Sequence, residues 1–172
     1  MGRAYRRTVG HDRDATFDPL AEANRQFLAH DLDRPRSMHA AVSLIHAHQV
    51  VSTRIERTLR PLGLTFARYE VLMLLSFSRS GSLPITKVGE RLLVHPTGAT
   101  KLVDKLEAQD LVCRKPNPQD RRGTLAEITP AGRRLGQRAS SLLGEIGFGV
   151  DLPDPDLETL IELLRTVRSM EA

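Results

Sequence analysis

Apolar residues fall along this chain in blocks whose spacing sets most of its elements. Met38, Val42, Ile45, Ile55 and Leu59 lie on a stripe of three- and four-residue steps, with Val51 close to it. That pattern predicts a long amphipathic helix from Ser37 to about Arg60, stopped by Pro61 and Gly63. Ahead of it, FDPLAEANRQFLAHDL (Phe17 to Leu32) offers Asp18 as an N-cap and Pro19 at the first helical position. A short extra helix is therefore expected over 17–32, ending before Arg34-Pro35. Residues 1–16 are polar and charged, with apolar positions too scattered to bury, and read as a flexible arm.

Beyond Gly63, Thr65 is placed to cap FARYEVLMLLSFS, whose apolar run from Val71 to Leu75 predicts a helix buried on most sides. Pro84 opens ITKVGERL, and Pro96, with His95 at the cap, opens TGATKLVDKLEAQ. In that second short helix Ala99, Leu102, Val103 and Leu106 form an inward stripe, which leaves Thr97, Gly98, Lys101 and Lys105 on the opposite face. Two β-prone runs follow, LVCRK (Leu111 to Lys115) and TLAEI (Thr124 to Ile128). They flank a tip containing Pro116, Asn117, Pro118, Gly123 and the charged triplet Asp120, Arg121, Arg122, the composition of a hairpin turn. Thr129 and Pro130 then begin a helix through about Phe148. Asp154 and Pro155 repeat the device for a last helix with Leu157, Leu160, Ile161, Leu164 and Val167 on one side.

The fold expected is mainly α with a small β-hairpin wing. Two short helices joined by a tight turn, then a two-stranded hairpin, is the order of a winged helix-turn-helix.

Charge sharpens this picture. The net charge is +4, and the surplus is central: from Arg36 to Gly123 there are 14 Lys and Arg against 7 Asp and Glu, whereas the two flanks carry no excess of cations. A basic middle suits a nucleic-acid footprint on the helix-hairpin module. In helix-turn-helix docking the start of the second helix comes closest to base edges. Here those residues are His95, Pro96, Thr97, Gly98, Thr100 and Lys101. Small Gly98 lets backbone approach, and the threonine hydroxyls suit bases or phosphates. Arg68, Thr86, Lys87, Arg91 and Lys105 are candidates for backbone contacts. A basic tip on a thin ribbon suits the narrow minor groove, where arginine is favoured over the more strongly hydrated lysine. Asp120, two residues from Arg122, is positioned to hydrogen-bond that guanidinium or to cap the turn.

Other chemistries find little footing. A single cysteine, Cys113, rules out an internal disulfide and a multi-thiolate zinc site within one chain. His39, His46, His48 and Glu70 invite a metal reading, but His46 and His48 are two apart on a helix and point in different directions. There is no His-Glu-x-x-His, no Gly-x-Ser-x-Gly and no phosphate-binding glycine loop, so neither an enzyme nor a cofactor is expected. No apolar run is long enough to cross a bilayer, and a cytoplasmic protein without membrane attachment is expected.

The stretch from Leu64 to Leu135, with LTFARYEVLMLL, LPITKVGERLLVHPTGATKLVDKLEAQDLVCRK and NPQDRRGTLAEITPAGRRL, resembles the multiple antibiotic resistance regulator (MarR) family. Asp120-x-Arg122 followed by Ile-Thr-Pro-Ala-Gly is the most specific part. The extra front helix matches a subgroup typified by urate- and PecS-type regulators. The resemblance implies a homodimeric transcriptional regulator that binds palindromic double-stranded DNA and is often released by a small anionic or aromatic effector. It assigns 64–129 to DNA binding, 36–62 and 130–172 to dimerisation, Arg122 to the minor groove, and Asp120 to orienting it. Asp110 stands where the family commonly has glycine, a position aspartate tolerates in left-handed backbone. By resemblance an effector pocket draws on Ser43, His46, Glu70 and Arg114. With no tryptophan, and Leu102 at one arginine position, it departs from the urate-type site. The rival readings are a winged-helix protein-interaction module and a metal-dependent regulator.

Overall fold

A computed structural model describes residues 19–29, 35–118, 120 and 123–169. It divides into two compact units, one ending at His48 and one beginning at Gln49. The expected arm (1–16), the Asp18 cap, Arg121 and Arg122 lie outside the described residues.

In the first unit, α1 spans Pro19–Ala29, and Glu22 pairs on its surface with Arg25 and Gln26. The unit also holds the beginning of α2, a 25-residue helix over Pro35–Leu59 that continues into the second unit.

The second unit carries the core. After α2, a 3-10 turn over Arg60–Leu62 ends at Gly63, whose φ of +68° needs the freedom of a residue without Cβ. Then follow α3 (Phe66–Phe77), β1 (Ser82–Pro84), α4 (Ile85–Leu92), α5 (Pro96–Glu107), β2 (Val112–Pro116), β3 (Thr124–Ile128), α6 (Pro130–Glu145) and α7 (Asp154–Arg168). Leu59 of α2, Leu72 and Leu75 of α3, Val88 of α4, Val103 and Leu106 of α5, Val112 of β2 and Leu143 of α6 are all fully buried. One side of each element thus meets in a common interior with α3 near its middle. Burying a side chain of this size stabilises by about 1.5–3 kcal/mol. Thr65 caps α3 as the sequence predicts, its hydroxyl accepting the Arg68 N–H at 3.4 Å. The α3 surface is not buried all round, since Phe77 at its end is exposed.

The sheet holds a strand the periodicity did not reveal. β1 pairs antiparallel with β3, Leu83 opposite Ala126, so the order is β1-β3-β2 and the wing has three strands instead of two. Three residues are too few to show alternation, and Pro84 marked the next helix more strongly than it marked the strand. Two boundaries also differ. The helix expected to reach Phe148 stops at Glu145, because Gly147, Phe148 and Gly149 all adopt positive φ. The last helix begins at Asp154 with Pro153 in the cap position, so Asp154 sits inside the first turn instead of capping it. No helix is long and apolar enough to cross a membrane among the described residues.

The Thr-Pro-Ala-Gly stretch fixes the wing to the core. Thr129 Oγ1 accepts the Gly132 N–H at 3.0 Å and donates to the Asp110 carbonyl at 2.8 Å, while the Thr129 N–H reaches the Leu111 carbonyl at 3.1 Å. Pro130 occupies the first turn, where its missing N–H costs nothing. Gly132 lets α6 pass against backbone, since a Cβ there would stand 2.1 Å from the Leu111 oxygen. Asp110 takes φ +57°, the left-handed turn that the sequence allowed for.

Gly132→Ala is expected to lower the unfolding free energy by about 3 kcal/mol or more, because backbone, not a flexible side chain, must yield. Urea denaturation of the variant against the parent chain checks this.

Candidate nucleic-acid interface

α4 and α5 cross where small residues permit it. A Cβ on Gly89 would lie 3.3 Å from both the Ala99 Cβ and the Val94 carbonyl oxygen, so the α4–α5 packing distance is set by these two positions. Ala99, Val103 and Leu106 are fully buried. Leu102 packs against the core from the edge of the inward stripe: it is half-buried and also lines a concavity of about 700 Å³ with Thr65, Ala67, Arg68, Val94, Gly98, Lys101 and Lys105.

The start of α5 is held by its own side chains. His95 caps it, Nδ1 accepting the Thr97 N–H at 3.4 Å and lying 2.8 Å from Thr97 Oγ1. Thr100 Oγ1 donates to the Pro96 carbonyl at 3.1 Å. That proton is directed back to the helix, so the outward lone pairs of Thr100 are set to accept, which suits amino groups on base edges better than carbonyl acceptors. His95, Pro96, Thr97, Thr100, Lys101 and Lys105 are exposed, and Gly98 is half-buried.

Cations at this face differ in their engagement. Lys87 is paired with Glu90 at 2.7 Å and Lys115 with Glu127 at 2.7 Å. Hydrogen bonding to Glu127, then its charge, holds the Lys115 ammonium above its ordinary range. Lys101, Lys105 and Arg91 have no ion pair among the described residues, and the Arg68 guanidinium donates to the Thr65 hydroxyl at 3.2 Å.

Arg114 joins β2 to α5. Its guanidinium contacts Asp104 at 2.5 Å and also bonds Glu107, whose other oxygen accepts the Arg114 backbone N–H at 3.1 Å. Burial would lower the guanidinium, but hydrogen bonds and charge from Asp104 and Glu107 outweigh it and hold it above its ordinary range. The clamp fastens the wing strand to the last turns of α5 and offsets one of the two negative charges there. No hydrogen bond or ion pair links Arg114 to Glu70. Glu70 is half-buried on α3, where burial raises its carboxyl above the usual range. Ser43, half-buried, and His46, exposed, lie on α2 in the first unit.

At the wing tip the described backbone closes on itself. The Asp120 N–H bonds the Asn117 carbonyl at 3.3 Å, the Gly123 N–H bonds Asp120 at 2.9 Å, and the Asn117 N–H bonds Gly123 at 3.2 Å. A Cβ on Gly123 would meet Asp120 Oδ2 at 3.0 Å, so glycine there makes room for that carboxylate. Thr86 and Pro84 at the start of α4, Pro96 and Thr100 of α5, and Arg114, Asn117, Asp120 and Gly123 of the wing line one groove of about 360 Å³. Helix start and wing tip are thus neighbours. Sequence reasoning missed the Arg114 clamp, although acidic residues at 104 and 107, one turn apart facing a wing-strand arginine, were available as its signal.

A family model described as MarR family matches residues 62–123. Sco5413, a MarR family transcriptional regulator from Streptomyces coelicolor, shares 41% sequence identity and a TM-score of 0.73, over 79% of this chain and 95% of that one. The chain belongs to the MarR family. It is also 32% identical over 97 residues to MhqR of Bacillus subtilis, an HTH-type transcriptional regulator, spanning 56% of this chain and 66% of that protein's length. A mutant MarR from Escherichia coli, complexed with operator DNA, matches with 26% identity and a TM-score of 0.67, over 79% of this chain and 99% of that one. Sco5413 and MhqR are both transcriptional regulators.

Arg114→Met is expected to cost about 1 kcal/mol of stability, since the partners are partly solvated. Adding Asp104→Asn and Glu107→Gln should recover most of it. Thermal unfolding of the single and triple variants distinguishes this clamp from a set of unrelated surface charges.

Proposed function

We propose that the protein binds a palindromic operator as a homodimer and acts as a repressor released by a small-molecule effector. The observation that carries the reading is the shared groove: the exposed start of α5 and the wing tip sit side by side on one module. In a homodimer each α5 enters a major groove, with the two recognition helices about 34–36 Å apart along the duplex. Arg122 enters the adjacent minor groove, and Asp120, fixed in the closed tip, orients it. Arg68, Arg91, Lys101 and Lys105, which have no acidic partner among the described residues, supply phosphate contacts; Lys87 and Lys115 contribute less because Glu90 and Glu127 already hold them. A protein-interaction module has no use for this set of open cations around a polar helix start.

Dimerisation falls to α2 and the C-terminal helices. α7 has no buried residue, and Ile161, Leu163 and Val167 on it are 59%, 62% and 49% exposed. An apolar surface of that kind is stabilised by a partner. α1 is the feature shared with PecS-type regulators, but without tryptophan, and with Leu102 where an arginine would stand, a urate-like effector is not supported. An anionic effector would have to compete with Asp104 and Glu107 for Arg114.

Fluorescence anisotropy against duplex DNA from the region upstream of its own coding sequence, and against a scrambled duplex, tests the reading across a salt series. The upstream duplex is expected to bind far more tightly, with a log-log salt slope several units negative. Weak and equal binding of both overturns it. Arg122→Ala should weaken binding by about 1–3 kcal/mol. Ending the chain after Pro153 should yield a monomer in sedimentation velocity.

A further inference from the structure

Leu93, in the turn between α4 and α5, breaks two local rules at once. Its backbone takes φ +53° and ψ +37°, the left-handed conformation that glycine adopts freely and a bulky side chain does not. Its side chain is 92% exposed, more than any other large apolar residue among those described, so it contributes no packing to the folded chain. The turn itself does not require leucine: Leu93 donates its N–H to Glu90 at 3.4 Å and Val94 donates to Gly89 at 3.0 Å, bonds that any residue with a backbone N–H can make. A residue that is unfavourable for the turn and unfavourable in water points to a role outside the fold.

Position and charge name the occupant. Leu93 stands two residues before His95, the cap of α5, and the exposed residues around it in sequence are Glu90, Arg91, His95, Pro96 and Thr97, the charge of Glu90 being already held by Lys87. Arg91 has no ion pair among the described residues. A second copy of this chain would bring the same cation against itself, whereas a polyanion is attracted to it. The apolar surface suited to a second copy lies instead on α7.

We propose that Leu93 is a DNA-contacting residue, its side chain covered by deoxyribose edges and thymine methyl groups at the rim of the major groove when α5 docks. The inference rests on the DNA-binding reading above. The contact is apolar and releases no counterions, so it adds affinity that salt does not screen.

The test uses a duplex selected by the full-length wild-type protein from a random pool, with Leu93→Gly, Leu93→Asn and Leu93→Met measured by anisotropy across a salt series. Glycine and asparagine both suit the left-handed turn, but neither provides the apolar surface. Both should bind about tenfold more weakly at every salt concentration, with an unchanged salt slope, while methionine restores most of the affinity. Thermal unfolding should show glycine and asparagine variants no less stable than wild type. If both bind as wild type does, or if only glycine weakens binding, Leu93 does not touch DNA and the regulator reading stands. If wild type selects no duplex, the regulator reading itself fails and this inference falls with it.

Discussion

Thr129 and Gly132 hold the constraint on which the rest of the second unit depends. α5 ends at Glu107, the chain turns through the left-handed Asp110, and β2 sets out from there; α6 then returns so closely that only hydrogen fits between Gly132 and the Leu111 carbonyl. One threonine satisfies the start of α6 and the end of that turn together. The direction of the wing relative to α5 is therefore set by backbone contact, which is stiffer than any arrangement of long side chains.

Arg114 adds a second, electrostatic fastening on the other side of the same turn. Asp104 and Glu107 would be misplaced on a helix proposed to approach a polyanion if they faced it uncompensated. Bound to Arg114, they serve to orient the strand, and the open positive charge remains with Lys101, Lys105, Arg91 and Arg68. The same logic separates Lys87 and Lys115, already held by carboxylates, from Lys101 and Lys105, which have none among the described residues.

Much of this was legible in the sequence where the signal was local. Thr65, Thr129 and the prolines at 96 and 130 announce helix starts because capping chemistry is confined to a few consecutive residues. Asp110 at a left-handed position was expected on another ground, the glycine that the resemblance puts there. β1 was not, since a three-residue strand is defined by its pairing with β3, a contact more than forty positions away. The clamp on Arg114 depends likewise on where β2 lies against α5, and the half-exposure of Leu102 on the groove beside α3. The early end of α6 depends on Phe148 accepting φ +51°, which its composition does not advertise.

The three-stranded sheet has two outer edges, and each bears a proline: Pro84 ends β1 and Pro116 ends β2. A proline offers no N–H to a passing strand, and Lys115 beside Pro116 adds a charge that resists burial. With only three residues on one edge and five on the other, there is little ladder left for a foreign strand to extend. The shortness that makes the sheet a narrow wing thus also protects it against edge-to-edge aggregation.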